Sequence, residues 1–363
     1  MNRVGCMSQT FRIAVIPGDG IGNEVVPEGL RVLDRLAEQS AGRFSFEYEH
    51  FPWGCEYYLQ TGKMMDDDGL ERLEGFDAIY FGAVGWPEVP DHVSLWGLRL
   101  AICQGFDQYA CVRPVKLLPG IESPLRNGSP ETIDWIVVRE NVEGEYAGVG
   151  GRNLAGRGQG KEVAIQAALF TEEGCERIIR YAFELAMTRP RKKVTSATKS
   201  NAQQYGMVLW DDVFRRVKQD YPEVETEEWL IDALSARFVL RPDSLDVVVG
   251  SNLFGDILSD LGSAIAGSLG IAASGNIDPE RRKPSMFEPV HGSAPDIAGK
   301  GIANPIAAVW SAVMMLEHLG LAEEAARVMD AIAATTASGT LTPDLGGTAT
   351  TTEVGDAILS HLG

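Results

Sequence analysis

Asp256 and Asp260 stand four residues apart in Gly255-Asp-Ile-Leu-Ser-Asp260, inside a stretch whose apolar spacing predicts a helix. Both carboxylates then project from one face, about one turn (~6 Å) apart. Like charges at that spacing repel by a few tenths of a kcal/mol, about the size of an ordinary helix pair. A hard divalent cation reverses the sign, because carboxylate oxygens are the ligands Mg²⁺ and Mn²⁺ prefer. The other reading is two solvated acids near a helix N-terminus, where the dipole favours them. Asp232 lies in the apolar run Trp229-Leu-Ile-Asp-Ala-Leu234, and a carboxylate buried there needs a partner or a metal. If it joins Asp256 and Asp260, three acids make a hard-cation site; otherwise it lies on the polar stripe of an amphipathic helix. Lys199, in Lys199-Ser-Asn201 after a strand, becomes a general base if burial or nearby cations depress its pKa, and is otherwise a solvated lysine. Arg99, Arg113 and Arg139 could clamp a carboxylate by paired hydrogen bonds, or could be scattered surface arginines.

The elements that carry these residues alternate between strand and helix. Val247 to Val249 reads as a buried strand, Gly250 and Gly255 as a turn, and Ile257, Leu258, Leu261 and Ile265 as the apolar stripe of the helix beyond. Further strands are expected at 11–16, 44–51, 77–82, 135–139 and 193–197. Pro114 keeps Arg113 extended. Helices are expected at 24–38, 172–187, 203–219, 227–237 (the one holding Asp232), 306–319 and 322–336. Residues 148–161 are a glycine-rich loop or protruding arm, and 287–305 a long Gly/Pro-punctuated loop. Pro17-Gly-Asp-Gly-Ile-Gly22 has G-x-G-x-G spacing where a dinucleotide fold needs G-x-G-x-x-G, so it reads as a tight turn. The pattern is α/β with a largely parallel sheet. Arg139, Lys199 and Asp256 then all fall beyond strand carboxyl ends, where such sheets gather functional groups.

Composition narrows the partners. A net charge of -19 over 363 residues argues against nucleic acid and against an anionic membrane surface. An acidic substrate then needs local arginines or a metal. Five scattered cysteines without a C-x-x-C, no signal-peptide core and no apolar run near the ~18 residues of a membrane span predict a reduced, cytoplasmic protein. Met7 precedes the first strand, so residues 1–6 read as an extension from an upstream start.

Four motifs in order, Ile16-Pro-Gly-Asp-Gly-Ile-Gly22, Arg139-Glu-Asn-Val-Glu-Gly-Glu-Tyr146, Gly255-Asp-Ile-Leu-Ser-Asp260 and Glu288-Pro-Val-His-Gly-Ser-Ala-Pro-Asp-Ile-Ala-Gly-Lys-Gly-Ile-Ala-Asn-Pro305, resemble the β-decarboxylating dehydrogenases. That family holds 3-isopropylmalate, isocitrate, homoisocitrate and tartrate/D-malate dehydrogenases. The resemblance implies an isopropylmalate dehydrogenase-like two-domain α/β fold with a shared, largely parallel mixed sheet, not a Rossmann fold. Residues 1–106 and 267–363 would form a large NAD-binding domain. Residues 107–266 would form a small domain with a dimer arm and the metal and substrate residues. It further implies a homodimer whose sites are shared across the interface, Lys199 and Asp232 each serving the other subunit.

On the family's mechanism, Mg²⁺ or Mn²⁺ on Asp232, Asp256 and Asp260 chelates a small 2-hydroxydiacid. Lys199 with Asp232 removes the hydroxyl proton as NAD⁺ takes hydride, CO₂ leaves, and Tyr146 protonates the enolate, with K⁺ an optional activator. Arg113 and Arg139 hold the carboxylate to be lost. His291, Gly292, Ser293, Ala294, Asp296, Ile297 and Asn304 line the nucleotide loop, where Asp296 favours NAD over NADP. Asp91-His-Val-Ser-Leu-Trp-Gly-Leu98 looks like the tartrate/D-malate branch, with Trp96 filling the pocket at C3. The family's additional arginine, ten residues before Arg113, falls here on Cys103. Arg99, one turn earlier, is its expected substitute. A dehydrogenase for another C3-substituted malate such as 3-isopropylmalate, and a non-catalytic regulatory subunit, are the alternatives.

Overall fold

The computed structural model describes residues 9–154, 156 and 158–363; Cys6, Arg157 and the expected extension 1–6 lie outside them. The described strands are β1 (Gln9–Gly18), β2 (Phe44–His50), β3 (Ala78–Ala83), β4 (Ala110–Lys116), β5 (Asp134–Glu140), β6 (Gly150–Asn153), β7 (Val163–Gln166), β8 (Lys193–Thr198), β9 (Glu225–Leu230), β10 (Val247–Gly250), β11 (Ala273–Ile277) and β12 (Ser285–Pro289). The chain divides into two compact units. One comprises Met1–Gln108, Lys116–Pro130 and Ser263–Gly363; the other comprises Tyr109–Val115 and Glu131–Gly262.

In the first unit the strands run in the order β2-β1-β3-β12-β11. β1, β2, β3 and β12 are mutually parallel, and β11 closes the set antiparallel to β12. β3 is buried along its whole length, as an apolar run between helix-covered faces requires. The helix Gly22–Gln39 turns Val25, Val32, Leu33 and Leu36 inward, at the 3–4-residue spacing of a buried stripe. Residues 116–130, placed by sequence in the 107–266 domain, belong to this unit. Leu117, Leu118 and Ile121 are buried, and Ser123 Oγ donates to the Ile265 carbonyl at 2.7 Å.

The second unit orders its strands β4-β5-β10-β8-β9. β5, β10, β8 and β9 are parallel throughout. Val247, Val248 and Val249 are fully buried, as their β-branched run predicts. Trp135 meets Phe238 edge-on, and Phe183 packs with Phe214, to fill the core beside these strands. The glycine-rich stretch becomes part of a separate two-stranded hairpin, β6 with β7, whose residues are all exposed.

Four expectations are corrected here. Residues 227–237 are not one helix: β9 occupies Glu225–Leu230, and the helix begins at Ile231. The Glu-Thr-Glu-Glu run looks helical by composition, but ion pairs from Lys193 to Glu225 and Glu227 dock it beside β8. The helix bearing Asp256 starts at Asn252, so Gly255 is inside it rather than in a turn. Ile257 of the expected apolar stripe is half exposed. The expected loop 287–305 loses its first residues to β12, and β11 is an addition the sequence reading did not make.

Candidate active site

β5 and β10 are adjacent and parallel, so Arg139 at the end of one lies level with Gly250 at the end of the other. The helix Asn252–Ile265 follows β10 directly and carries Asp256 past Arg139. Gly255 permits that approach, because a Cβ there would sit 2.5 Å from the Arg139 Cβ. Arg139 Nη1 ion-pairs with Asp256, and Arg113 Nη1, from β4, reaches the same Asp256 Oδ1 at 3.1 Å. Arg113 also donates to Ser259 Oγ at 2.7 Å and lies 3.9 Å from Asp260. The Tyr146 hydroxyl donates to Asp256 Oδ2 at 3.2 Å, with its ring under the Arg139 guanidinium. Arg113 and Arg139 are 7% and 3% exposed against 32% for Asp256, so two buried cations face one partly solvated acid. Arg113, Arg139, Tyr146, Asp256 and Asp260 are thus brought together, as the sequence expected.

The acidic pair fits a hard cation. Desolvation raises the Asp260 carboxyl above its usual range although its side chain is 54% exposed; Arg113 pulls it back and Asp256 adds to the rise. A divalent ion would relieve that penalty. Asp232 lies apart from this pair: among the described residues no three His, Cys, Asp or Glu side chains form a metal-holding group. Its burial in an apolar run is also corrected. It is 67% exposed in the first turn of the helix Ile231–Leu240, where the dipole suits an acid. It ion-pairs with Lys199, 26% exposed beyond the end of β8, and that hydrogen bond holds the Asp232 carboxyl below its usual range.

The loop from Arg139 to Tyr146 is fixed by residues the sequence reading did not single out. Glu140, 3% exposed, accepts the backbone N–H of Val142 on both oxygens and that of Glu143 at 2.8 Å. Glu143 accepts the N–H and hydroxyl of Thr171, at the start of the helix Glu172–Thr188. Burial drives the Glu140 carboxyl up to about 7, against the lowering pull of those N–H groups. A carboxyl raised on folding favours the protonated native state, so its contribution to stability is lost as pH rises from the unfolded value near 4.5 through 7. Glu140→Gln removes that dependence. Its melting temperature should gain on the wild type between pH 5 and pH 8, by the equivalent of up to about 3 kcal/mol. A constant difference across that range would show that Glu140 titrates normally.

In the first unit, β1 runs through Pro17 and Gly18 and the helix begins at Gly22, so the tight turn expected over 17–22 is confined to Asp19–Ile21. A Cβ on Gly18 would meet the Ala83 carbonyl oxygen at 1.9 Å, and one on Gly20 the Ser293 carbonyl oxygen at 2.0 Å. The turn thereby supports the loop 291–304: Ile21 N–H donates to the Ser293 carbonyl. Ala294 and Ile297 pack on Ile21 and Val25. Glu24 accepts the N–H groups of Gly299 and Gly301 at 2.6 and 2.9 Å. Asn304 caps the next helix through the Ile306 N–H and donates to Asp344. Gly292 and Asp296 are exposed. His291 Nδ1 lies 3.0 Å from the Gly292 carbonyl, and Nε2 is buried with no hydrogen-bond partner in the described structure. Desolvation lowers the His291 pKa. His291, with a buried Nε2 that has no hydrogen-bond partner in the described structure, and exposed Asp296 belong to the same propped loop and are groups that could meet a nucleotide.

Trp96, half-buried, and Arg99 belong to a π-helical turn, Leu95–Arg99, a rare geometry that recurs at functional sites. Arg99 does not share the surroundings of Cys103. Its guanidinium is buried against Glu288 Oε1 (2.7 Å from Nη2) and Asn276 Oδ1 (3.2 Å), while Cys103 lies in the apolar cluster with Leu98, Ile102 and Phe106.

No helix among the described residues is long and apolar enough to cross a membrane. The isocitrate/isopropylmalate dehydrogenase family model matches residues 12–358. A probable tartrate dehydrogenase/decarboxylase of Agrobacterium vitis is 58% identical, covering 97% of this chain and 98% of its own. The decarboxylating D-malate dehydrogenase of Escherichia coli (strain K12) is 55% identical, covering 97% and 98%. The crystal structure of isocitrate dehydrogenase from Methylococcus capsulatus superposes with a TM-score of 0.86 at 33% identity, covering 97% of this chain and 99% of that one. With matching motifs, architecture and full-length similarity, this chain belongs to the isocitrate/isopropylmalate dehydrogenase family.

Proposed function

We propose that this protein is an NAD- and divalent-metal-dependent dehydrogenase that oxidises and decarboxylates a small 2-hydroxydiacid of the tartrate or D-malate type. The observation that carries the proposal is the convergence of Arg113, Arg139 and Tyr146 on Asp256. Two buried guanidinium groups beside a paired acid can bind a dianion at a metal, and few other chemistries need that combination. The similarity to tartrate and D-malate dehydrogenases supports the substrate class.

In this reading Asp256 and Asp260, with Asp232 of a second copy, hold Mg²⁺ or Mn²⁺. When bound, the metal supplies Lewis-acid polarisation and NAD⁺ supplies the hydride acceptor. Arg113 and Arg139 bind and orient the carboxylate to be lost. Lys199, braced by Asp232, takes the substrate hydroxyl proton, and the Tyr146 hydroxyl, aligned by Asp256, donates a proton to carbon. The loop 291–304 binds the adenosine, and exposed Asp296 favours a ribose hydroxyl over a 2′-phosphate. The protein acts as a homodimer. Asp232, paired with Lys199, forms no metal-holding group with Asp256 and Asp260 among the described residues, and the exposed hairpin carries Val163 and Ile165, apolar side chains suited to cover by a second copy.

The test is NADH formation with D-malate, L-tartrate, meso-tartrate and 3-isopropylmalate, each with Mn²⁺ and with EDTA. Metal-dependent turnover of D-malate or a tartrate, with 3-isopropylmalate idle, is expected; silence on all four would overturn the proposal. Trp96 sets the limit at C3 in this reading. Trp96→Ala should raise kcat/KM for 3-alkylmalates by about 10- to 200-fold, the range a few methylenes command in an apolar pocket. No gain on 3-alkylmalates would remove Trp96 from specificity.

A further inference from the structure

Asn252 opens the helix that carries Asp256 and is 1% exposed. Its Oδ1 accepts both Nε (3.0 Å) and Nη2 (2.7 Å) of Arg139, leaving Nη1 for Asp256. Its Nδ2 donates to the Glu143 carbonyl at 2.9 Å. Gly144, at φ 73°, lets the loop close, since a Cβ there would come within 3.0 Å of the Asn252 Cβ. One buried amide therefore ties the guanidinium on β5 to the loop that ends in Tyr146. Amide chemistry matters here. A guanidinium usually takes its paired bonds from a carboxylate, which cancels its charge. An amide oxygen fixes the same plane and adds no negative charge to the one Asp256 already brings to Nη1.

We propose that Asn252 is a positioning residue for diacid binding: it orients Arg139 through Nε and Nη2 without adding a second negative charge to that of Asp256, and it holds the Tyr146 loop to the same point. This rests on the diacid reading above. Two substitutions separate orientation from charge. Asn252→Ala removes the acceptor of Nε and Nη2, so the Arg139 plane loses that restraint while Nη1 keeps Asp256. Asn252→Asp is isosteric and keeps the acceptor, but places a negative charge beside the guanidinium and loses the donor to Glu143.

The experiment combines steady-state kinetics on D-malate with the ¹⁵N–¹H side-chain spectrum of the intact enzyme, in which the Arg139 Nε–H signal is assigned by its loss in Arg139→Lys. Asn252→Ala should lose the slowly exchanging Arg139 signal and raise the diacid KM by about 10²-fold, the cost of an ångström-scale misplacement. Asn252→Asp should keep the signal yet raise the diacid KM about tenfold, through the added charge and the lost donor to Glu143. The KM for NAD⁺ should stay unchanged in both. An alanine variant with the signal and KM intact, or an aspartate variant with wild-type diacid KM, would overturn the proposal. If the alanine variant fails to fold, the isosteric aspartate variant still decides. The spectrum needs no turnover, so a wild type idle on every diacid would count against the function while the signal still judges the role of Asn252.

Discussion

Lys199→Met should lower kcat by about 10²- to 10⁴-fold, the range that general acid–base groups contribute, with the diacid KM little changed. Methionine keeps the length and apolar stem of lysine and removes only the amine. Lys199 ion-pairs with Asp232 beyond the end of β8 and does not touch Asp256 in its own chain. If both belong to one catalytic set, the amine must act in a second copy's site. Complementation makes that measurable. Lys199→Met and Tyr146→Phe homodimers should each be nearly inactive. Mixed and reassociated, they should recover about a quarter of wild-type activity, because about half the dimers are hybrid and each hybrid has one intact site. No recovery, with hybrids shown to form, would place Lys199 in its own chain's site. A raised KM with unchanged kcat would instead make it a binding residue.

Legibility in the sequence tracked locality. The acids on one helix, the arginine after Ile-Val-Val and the tyrosine seven residues beyond it lie in stretches whose period and motif order carry their placement, and the structure gathers them. Asp232 was misjudged because the run Glu225–Leu230 has a helical composition while its strand state depends on pairing with β8 and on ion pairs from Lys193. No window on the chain contains that partner. Arg99 lies at the end of a π turn and its guanidinium is held by Glu288 and Asn276, partners 189 and 177 residues away that the helical period does not reveal. Asn252 carries no sequence signal of its role at the strand–helix junction. Its actual partner is an arginine 113 residues away in sequence. Glu140 and Glu143 likewise brace the loop through backbone groups, to which sequence patterns are blind.

Asp256→Asn should lower kcat/KM by about 10³-fold or more, and the route of the loss identifies what Asp256 does. The substitution is isosteric and leaves one acceptor, so Tyr146 or one guanidinium can stay bonded. What disappears is the negative charge between two buried cations. If Asp256 serves only to pair with Arg113 and Arg139, the freed cations should bind a diacid at least as tightly. The dependence on Mn²⁺ concentration should then match the wild type. If it is a metal ligand, the Mn²⁺ concentration for half-maximal rate should rise by 10- to 100-fold or more, and kcat should fall even at saturation, because a neutral amide neutralises none of the ion's charge. The two routes also separate on stability. Leaving Arg113 and Arg139 facing each other without Asp256 costs about 3–5 kcal/mol if the pair is fully desolvated, but less here because Asp256 is 32% exposed. Melting of the metal-free variant measures that cost. Added Mn²⁺ should then raise the wild-type melting temperature and leave that of Asp256→Asn nearly unmoved, since an ion stabilises only the state that binds it. Equal stabilisation of both proteins would assign the metal elsewhere and leave Asp256 as the counter-ion of the arginines.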